Sequence, residues 1–184
     1  FETELTESLV QQILSDPNFD SSARSDFLVL SGGGQDGAYA AGLLNGWSAA
    51  GTKPEFRIIT GVSTGAIIAV FAFLGSAEED ALRESYTQYS TKDLFRERNI
   101  LALLFSDSLY DNKKFRKVLK YYFTPEVVEN IALEHNKGRR LYIASTLLNV
   151  ERPVIWDLGA IASSGHPAAR DTIIDAVVAS ASIP

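Results

Sequence analysis

The sequence predicts an α/β fold, a three-layer α/β/α sandwich on a mostly parallel central sheet. Two strand, glycine-turn, helix units in the first half point to it, as do two β-rich runs flanked by helical patterns in the second. Composition agrees, since 184 residues with 46% hydrophobic and 22% charged side chains suit one domain with a sizeable core.

The elements follow in chain order. Residues 1–25 carry an amphipathic helix signal at Leu5, Leu9 and Ile13, then a polar Asp16-Pro17-Asn18 turn, and read as a peripheral leader to a domain spanning 26–184. Phe27-Leu28-Val29-Leu30 is a short apolar strand. It runs into Ser31-Gly32-Gly33-Gly34-Gln35-Asp36-Gly37 and a small-residue helix from Ala38 to Ala50, ended by Gly51. Consecutive glycines expose main-chain N–H groups, and before a helix N-terminus they form an anion site for a phosphate or an oxyanion. The phosphate reading fits poorly: Gly-x-x-x-x-Gly-Lys is absent, and no acidic residue ends a second strand as a dinucleotide site requires.

A second strand, Phe56 to Thr60, leads into Gly61-Val62-Ser63-Thr64-Gly65 and a buried helix from Ala66 to Leu74. A serine on such a turn is tipped out of the sheet toward the positive end of the helix, which makes Ser63 a candidate nucleophile, with helix capping the plainer alternative. The two turns are expected side by side at the carboxyl edge of the sheet, supplying a nucleophile and its oxyanion hole. Any side chain at Gly33 is expected to impair that hole.

Glu78 to Tyr89 reads as a helix with an acidic first turn, and Asn99 to Phe105 as an apolar stretch suited to core packing or an acyl groove. Asn112 to Tyr122 and Pro125 to Glu134 are helices joined at Thr124-Pro125, the first bearing a basic, solvated face of Lys113, Lys114, Arg116, Lys117 and Lys120. Arg140 to Leu148 and Pro153 to Trp156 extend the sheet across a turn, and Thr172 to Ala179 returns to helix.

Charge and residue usage exclude several classes. A net charge of −6 repels a nucleic-acid backbone, and no apolar run reaches the length of a transmembrane helix. There is no cysteine for disulfides or thiolate metal sites, and two histidines are too few for a histidine-rich metal centre. The chain begins at Phe1 rather than Met, which leaves room for a secreted or lipid-anchored form.

The glycine loop followed one βαβ unit later by the Gly-x-Ser-x-Gly turn resembles the patatin-like phospholipases and acyl hydrolases, a likeness running from about Asp26 to Pro184. It implies a serine acyl hydrolase that cleaves carboxylic esters of lipids, phospholipase A-like or lysophospholipase-like, met at a membrane or micelle surface. By the resemblance Ser63 is the nucleophile, Gly61 and Gly65 frame its elbow, and Gly32, Gly33, Gly34 and Gly37 form the oxyanion loop. It further implies a Ser-Asp dyad, an acyl-enzyme, and no metal or cofactor. The loop departs from the family at Ser31, where plant members have Asp, and at Asp36, where many members have a basic residue.

A third family mark, a late Asp-Gly pair, is missing. The one Asp-Gly here is Asp36-Gly37 inside the loop, and Asp157, Asp171 and Asp175 are not followed by glycine. The dyad acid is therefore expected beyond Pro184, with the 184 residues C-terminally incomplete and nearly inactive alone. Two alternatives stay open. Ser63, Asp157 and His166 occur in the order of an α/β-hydrolase triad, with His135 as a surface cap, and a relative lacking the acid would be a non-catalytic lipid-binding module.

Overall fold

The computed structural model describes residues 2–22, 24–87, 96–97, 110–111 and 113–182. From the N-terminus the elements are α1 (Glu2–Ser15), β1 (Phe27–Leu30), α2 (Gly37–Ala49), β2 (Ile58–Val62), α3 (Thr64–Leu74) and α4 (Glu79–Thr87). A short antiparallel pair follows, β3 (Arg96–Glu97) and β4 (Tyr110–Asp111). The remainder is α5 (Lys113–Tyr122), α6 (Pro125–Asn136), β5 (Arg140–Leu147), β6 (Arg152–Asp157), α7 (Leu158–Ser163) and α8 (Ala169–Ala181). Asn99 to Phe105 lies outside the described residues.

The main sheet has the order β1-β2-β5-β6, parallel across the first three strands and closed by an antiparallel β6. Register aligns Leu30 with Gly61 and Gly61 with Ile143, so β1 and β2 end together and both glycine turns leave from the same edge. Strand alternation then sorts the faces. Leu30, Ile59, Gly61, Leu141 and Ile143 share the buried one.

Helix α3 fills the centre of that face, with nine buried residues from Thr64 to Phe73. It has no charged residue, and a helix apolar all round belongs in a core. Phe71 and Phe73 are fully buried, each contributing about 2 to 3 kcal/mol of transfer free energy. Ile173, Ile174 and Val177 of α8 and Phe115, Leu119 and Phe123 of the α5 region complete this core. Thr124 accepts from the Val127 N–H and, with Pro125 at the first helical position, starts α6 as its sequence predicts.

Helix α1 approaches the sheet from the other face. Gln11 Oε1 accepts from Arg140 Nη2 at 2.8 Å, and Ser8 Oγ and Gln12 Nε2 donate to the Gly138 carbonyl at 2.5 and 3.1 Å. The face that docks is not the apolar stripe of Leu5, Leu9 and Ile13. The buried residues are Ser8 and Gln12, while Ile13 of the apolar stripe is 49% exposed. Gly138, at φ 95°, permits the contact because a Cβ there would meet Ser8 O at 2.4 Å. Polar groups meeting a main-chain turn hold the helix, which an apolar periodicity does not reveal.

The basic face of α5 is solvated as expected, and two of its residues form surface ion pairs with α8. Lys120 pairs with Asp171 at 3.0 Å and Arg116 pairs with Asp175, both on α8. Arg170 Nε and Nη2 donate to the carbonyls of Phe123 and Lys120, each at 2.6 Å, tying the end of α5 to the start of α8.

Candidate active site

The turn between β2 and α3 turns on main-chain proximity. A Cβ at Gly65 would stand 2.4 Å from Leu30 O and 2.6 Å from Ser31 O, and one at Gly61 would stand 2.4 Å from Gly65 O. No side chain fits either place. The first turn of α3 is thereby drawn against the end of β1, and Ser63 is forced to φ 56°, ψ −125°. For a residue with a Cβ this costs about 1 to 3 kcal/mol, and such conformations persist only where the surroundings over-determine them.

The Ser63 hydroxyl is not a helix cap, because no side-chain hydrogen bond closes the start of α3. It is half-buried and has no hydrogen-bond partner among the described residues. The capping alternative therefore fails. Its main-chain N–H is committed elsewhere, donating to Ser180 Oγ at 2.8 Å, while Ser180 in turn donates to Ala144 O at 2.6 Å.

The loop after β1 lies alongside. A Cβ at Gly32 would stand 3.0 Å from Ser63 Cβ and 3.6 Å from its Oγ. The loop then turns through Gly34 at φ 55° into a short 3₁₀ turn, Gly34–Asp36, which Asp36 N–H closes onto Gly33 O at 3.0 Å. Gly32, Gly33 and Gly34 are exposed, and their N–H groups have no acceptor among the described residues. Exposed donors next to a helix N-terminus form an anion-binding concavity.

The glycines of this loop differ in what an added side chain would meet and in how their N–H groups are used. At Gly33 an added Cβ would meet only Asp36 Cβ at an ordinary 3.5 Å, so the sterically closed position is Gly32. Gly37 is also unlike the other three, because it is buried and its N–H is used inside the turn, toward Gly34 O and Gln35 O. Its glycine is needed for packing: a Cβ there would reach 2.3 Å from Thr64 Oγ1 and 3.0 Å from the Tyr86 hydroxyl. Those two oxygens are 2.6 Å apart, linking α4 to the first residue of α3. Burial raises the Tyr86 pKa, against the lowering pull of its Thr64 hydrogen bond, so the phenol stays neutral.

The other acids and histidines lie away from Ser63. Asp157 pairs in register with Tyr142, below the Val62 and Ala144 level, and its Oδ1 accepts from Ala160 N–H at 2.8 Å as the cap of α7. Its histidine neighbour is His135, 3.8 Å away, not His166. His166 Nδ1 accepts from Ala168 N–H at the opposite end of α8 from Ser180. At about 1.5 Å per residue, roughly 16 Å of helix separates Ala169 from Ser180. The triad order in the sequence thus has no counterpart in space. His135 is no surface cap either: its side chain is largely buried, and a Cβ at Gly159 would touch Nδ1 at 2.3 Å. Burial lowers its pKa, with Asp157 pulling it up and Arg140 pushing it down. Asp171 and Asp175 are occupied with Lys120 and Arg116.

The sequence matches the patatin-like phospholipase family over residues 28–184. The chain belongs to that family. A comparison with curated proteins gave no match. Membership agrees with the mostly parallel sheet flanked by helices and implies, in general terms, lipid acyl hydrolase activity. No helix among the described residues is long and apolar enough to cross a membrane.

Sequence reasoning missed Ser180 and Tyr86 as neighbours of the elbow. Ser180 lies in the plain small-residue run Ala179-Ser180-Ala181, and Tyr86 is one aromatic residue in an ordinary helical pattern. Neither carries a local signal.

Proposed function

We propose that the protein is a serine acyl hydrolase that cleaves carboxylic ester bonds of lipids, in the manner of a phospholipase A or lysophospholipase. The observation that carries this reading is the Ser63 hydroxyl, held in a left-handed conformation at the start of α3, free of capping, beside unpaired glycine N–H groups. In this reading Ser63 Oγ attacks the ester carbonyl while a carboxylate takes its proton. The N–H groups of Gly32, Gly33 and Gly34 and the positive end of α3 stabilise the tetrahedral oxyanion. The alcohol leaves, and water hydrolyses the acyl-enzyme. Because the Ser63 N–H is bonded to Ser180, it is not itself one of the oxyanion donors in this reading.

Among the described residues no carboxylate hydrogen-bonds the Ser63 hydroxyl. Following the family pattern, we take the proton acceptor to be an aspartate carboxylate. The substrate is met at a membrane or micelle surface, a reading supported by α2, which starts at the glycine loop and carries no charge. Tyr39, Leu43 and Trp47, spaced one turn apart on α2, are all exposed.

The test is hydrolysis of a diacyl phospholipid and of a lysophospholipid by the full-length protein, with Ser63→Ala beside it. Turnover of either lipid that is lost in a folded Ser63→Ala protein supports the assignment, and equal turnover in the two proteins overturns it.

A further inference from the structure

Ser63 holds a backbone conformation that its own side chain disfavours, so something nearby must keep it there. The glycine contacts explain how the chain gets in. They do not explain what stops the turn from relaxing toward solvent, since they only permit close approach. Among the described residues, the side chain that grips the Ser63 main chain is Ser180. Its Oγ accepts from Ser63 N–H at 2.8 Å and its hydroxyl hydrogen goes to Ala144 O at 2.6 Å.

The two groups that Ser180 joins sit where the β2–β5 ladder comes to an end. Val62 pairs with Ala144 as the last pair of that ladder, after which the chain turns away at Ser63. The turn leaves a donor and a carbonyl facing each other across a gap, and a hydroxyl is the smallest group that accepts from one and donates to the other. Ser180 is well placed to do so because α8 is anchored along its length by Ile173, Ile174 and Val177 in the core and by the ion pairs of Asp171 and Asp175 with α5. The hydroxyl therefore reaches the elbow from a rigid support.

We infer that Ser180 is a positioning residue for the nucleophile, locking the Ser63 backbone so that its Oγ stays aligned with the Gly32 to Gly34 donors. This inference rests on the proposed role of Ser63. It does not make Ser180 a catalytic residue, because its hydroxyl is taken on both sides by main-chain groups. Loss of the lock disorders the attacking geometry more than the binding of the lipid, so its effect falls on kcat and on nucleophile reactivity rather than on KM.

The experiment compares the wild-type full-length protein with Ser180→Ala and Ser180→Thr. Three quantities are read: the second-order rate of fluorophosphonate labelling at Ser63, kcat and KM on a soluble ester, and the melting temperature. Ser180→Ala is expected to lower both the labelling rate and kcat by about tenfold or more with KM within about twofold. Ser180→Thr, which keeps the hydroxyl, restores most of the loss. An Ala variant that labels and turns over at the wild-type rate overturns the inference, as does a loss that Thr fails to restore or one seen wholly in KM. Absence of labelling at Ser63 in the wild type instead removes the proposed nucleophile, and with it this role. A purely structural contribution of Ser180 would shift the melting temperature while leaving the labelling rate of the folded protein unchanged.

Discussion

Gly32 stands so close to Ser63 that a single added carbon would lie 3.0 Å from the serine Cβ, which places the first residue of the glycine loop directly over the elbow. The two turns arrive there from different strands, and they meet because β1 and β2 end at the same level of a parallel sheet.

Substitution at Gly32 should therefore be costlier than at Gly33. Gly32→Ala has to displace the serine or the loop, while Gly33→Ala gains only an ordinary contact with Asp36. We expect Gly32→Ala to lower kcat by about a hundredfold or more, the scale of a lost oxyanion donor, with Gly33→Ala clearly less affected. Steady-state kinetics on a soluble ester, with circular dichroism to confirm folding, checks the order.

Gly65→Ala should act on stability. Its new methyl would meet the Leu30 and Ser31 carbonyls, which are main chain and cannot swing aside. The expected loss is about 3 kcal/mol or more, in the range of severe overpacking, read from urea unfolding midpoints. Tyr86→Phe, which removes only the hydroxyl facing Thr64, should cost about 1 kcal/mol.

These glycines were legible in the sequence for the reason that they are costly to replace: a position where main chain meets main chain accepts only glycine and so leaves a fixed pattern. The strands and helices were legible from apolar runs and breakers, as at Thr124-Pro125 and Gly51. Contacts between distant side chains were not. The pairing of Lys120 with Asp171, the docking of α1 through Ser8 and Gln12, and the reach of Ser180 to the elbow each join residues whose local sequence would read the same without the contact. The Ser63, Asp157, His166 order shows the converse, a chemical pattern in the chain whose members lie in separate places, Asp157 at the end of β6 and His166 in the loop before α8.

Acid should weaken the fold through His135. Burial holds its folded-state pKa below the ordinary 6.5, so below about pH 6.5 the unfolded chain binds a proton that the folded one resists. Stability is expected to fall as pH drops through that value toward the lower folded one. Thermal melts between about pH 7.5 and 5 test this, and His135→Gln should flatten that part of the profile.

The uncharged exposed face of α2 predicts a split between substrates. Leu43→Glu places a charge on a residue that is 56% exposed, so folding should be little changed. Turnover of phospholipid in vesicles should drop several-fold while a soluble short-chain ester is cleaved as before, because a charge opposes contact with an apolar boundary. Parallel assays on the two substrates decide it.

The central claim is that Ser63 is the nucleophile. It is tested most directly by treating the full-length protein with a fluorophosphonate and mapping the adduct by peptide mass spectrometry. The account predicts one adduct, on Ser63, and none on a folded Ser63→Ala protein. An adduct on another residue, or labelling that persists unchanged in Ser63→Ala, would contradict it.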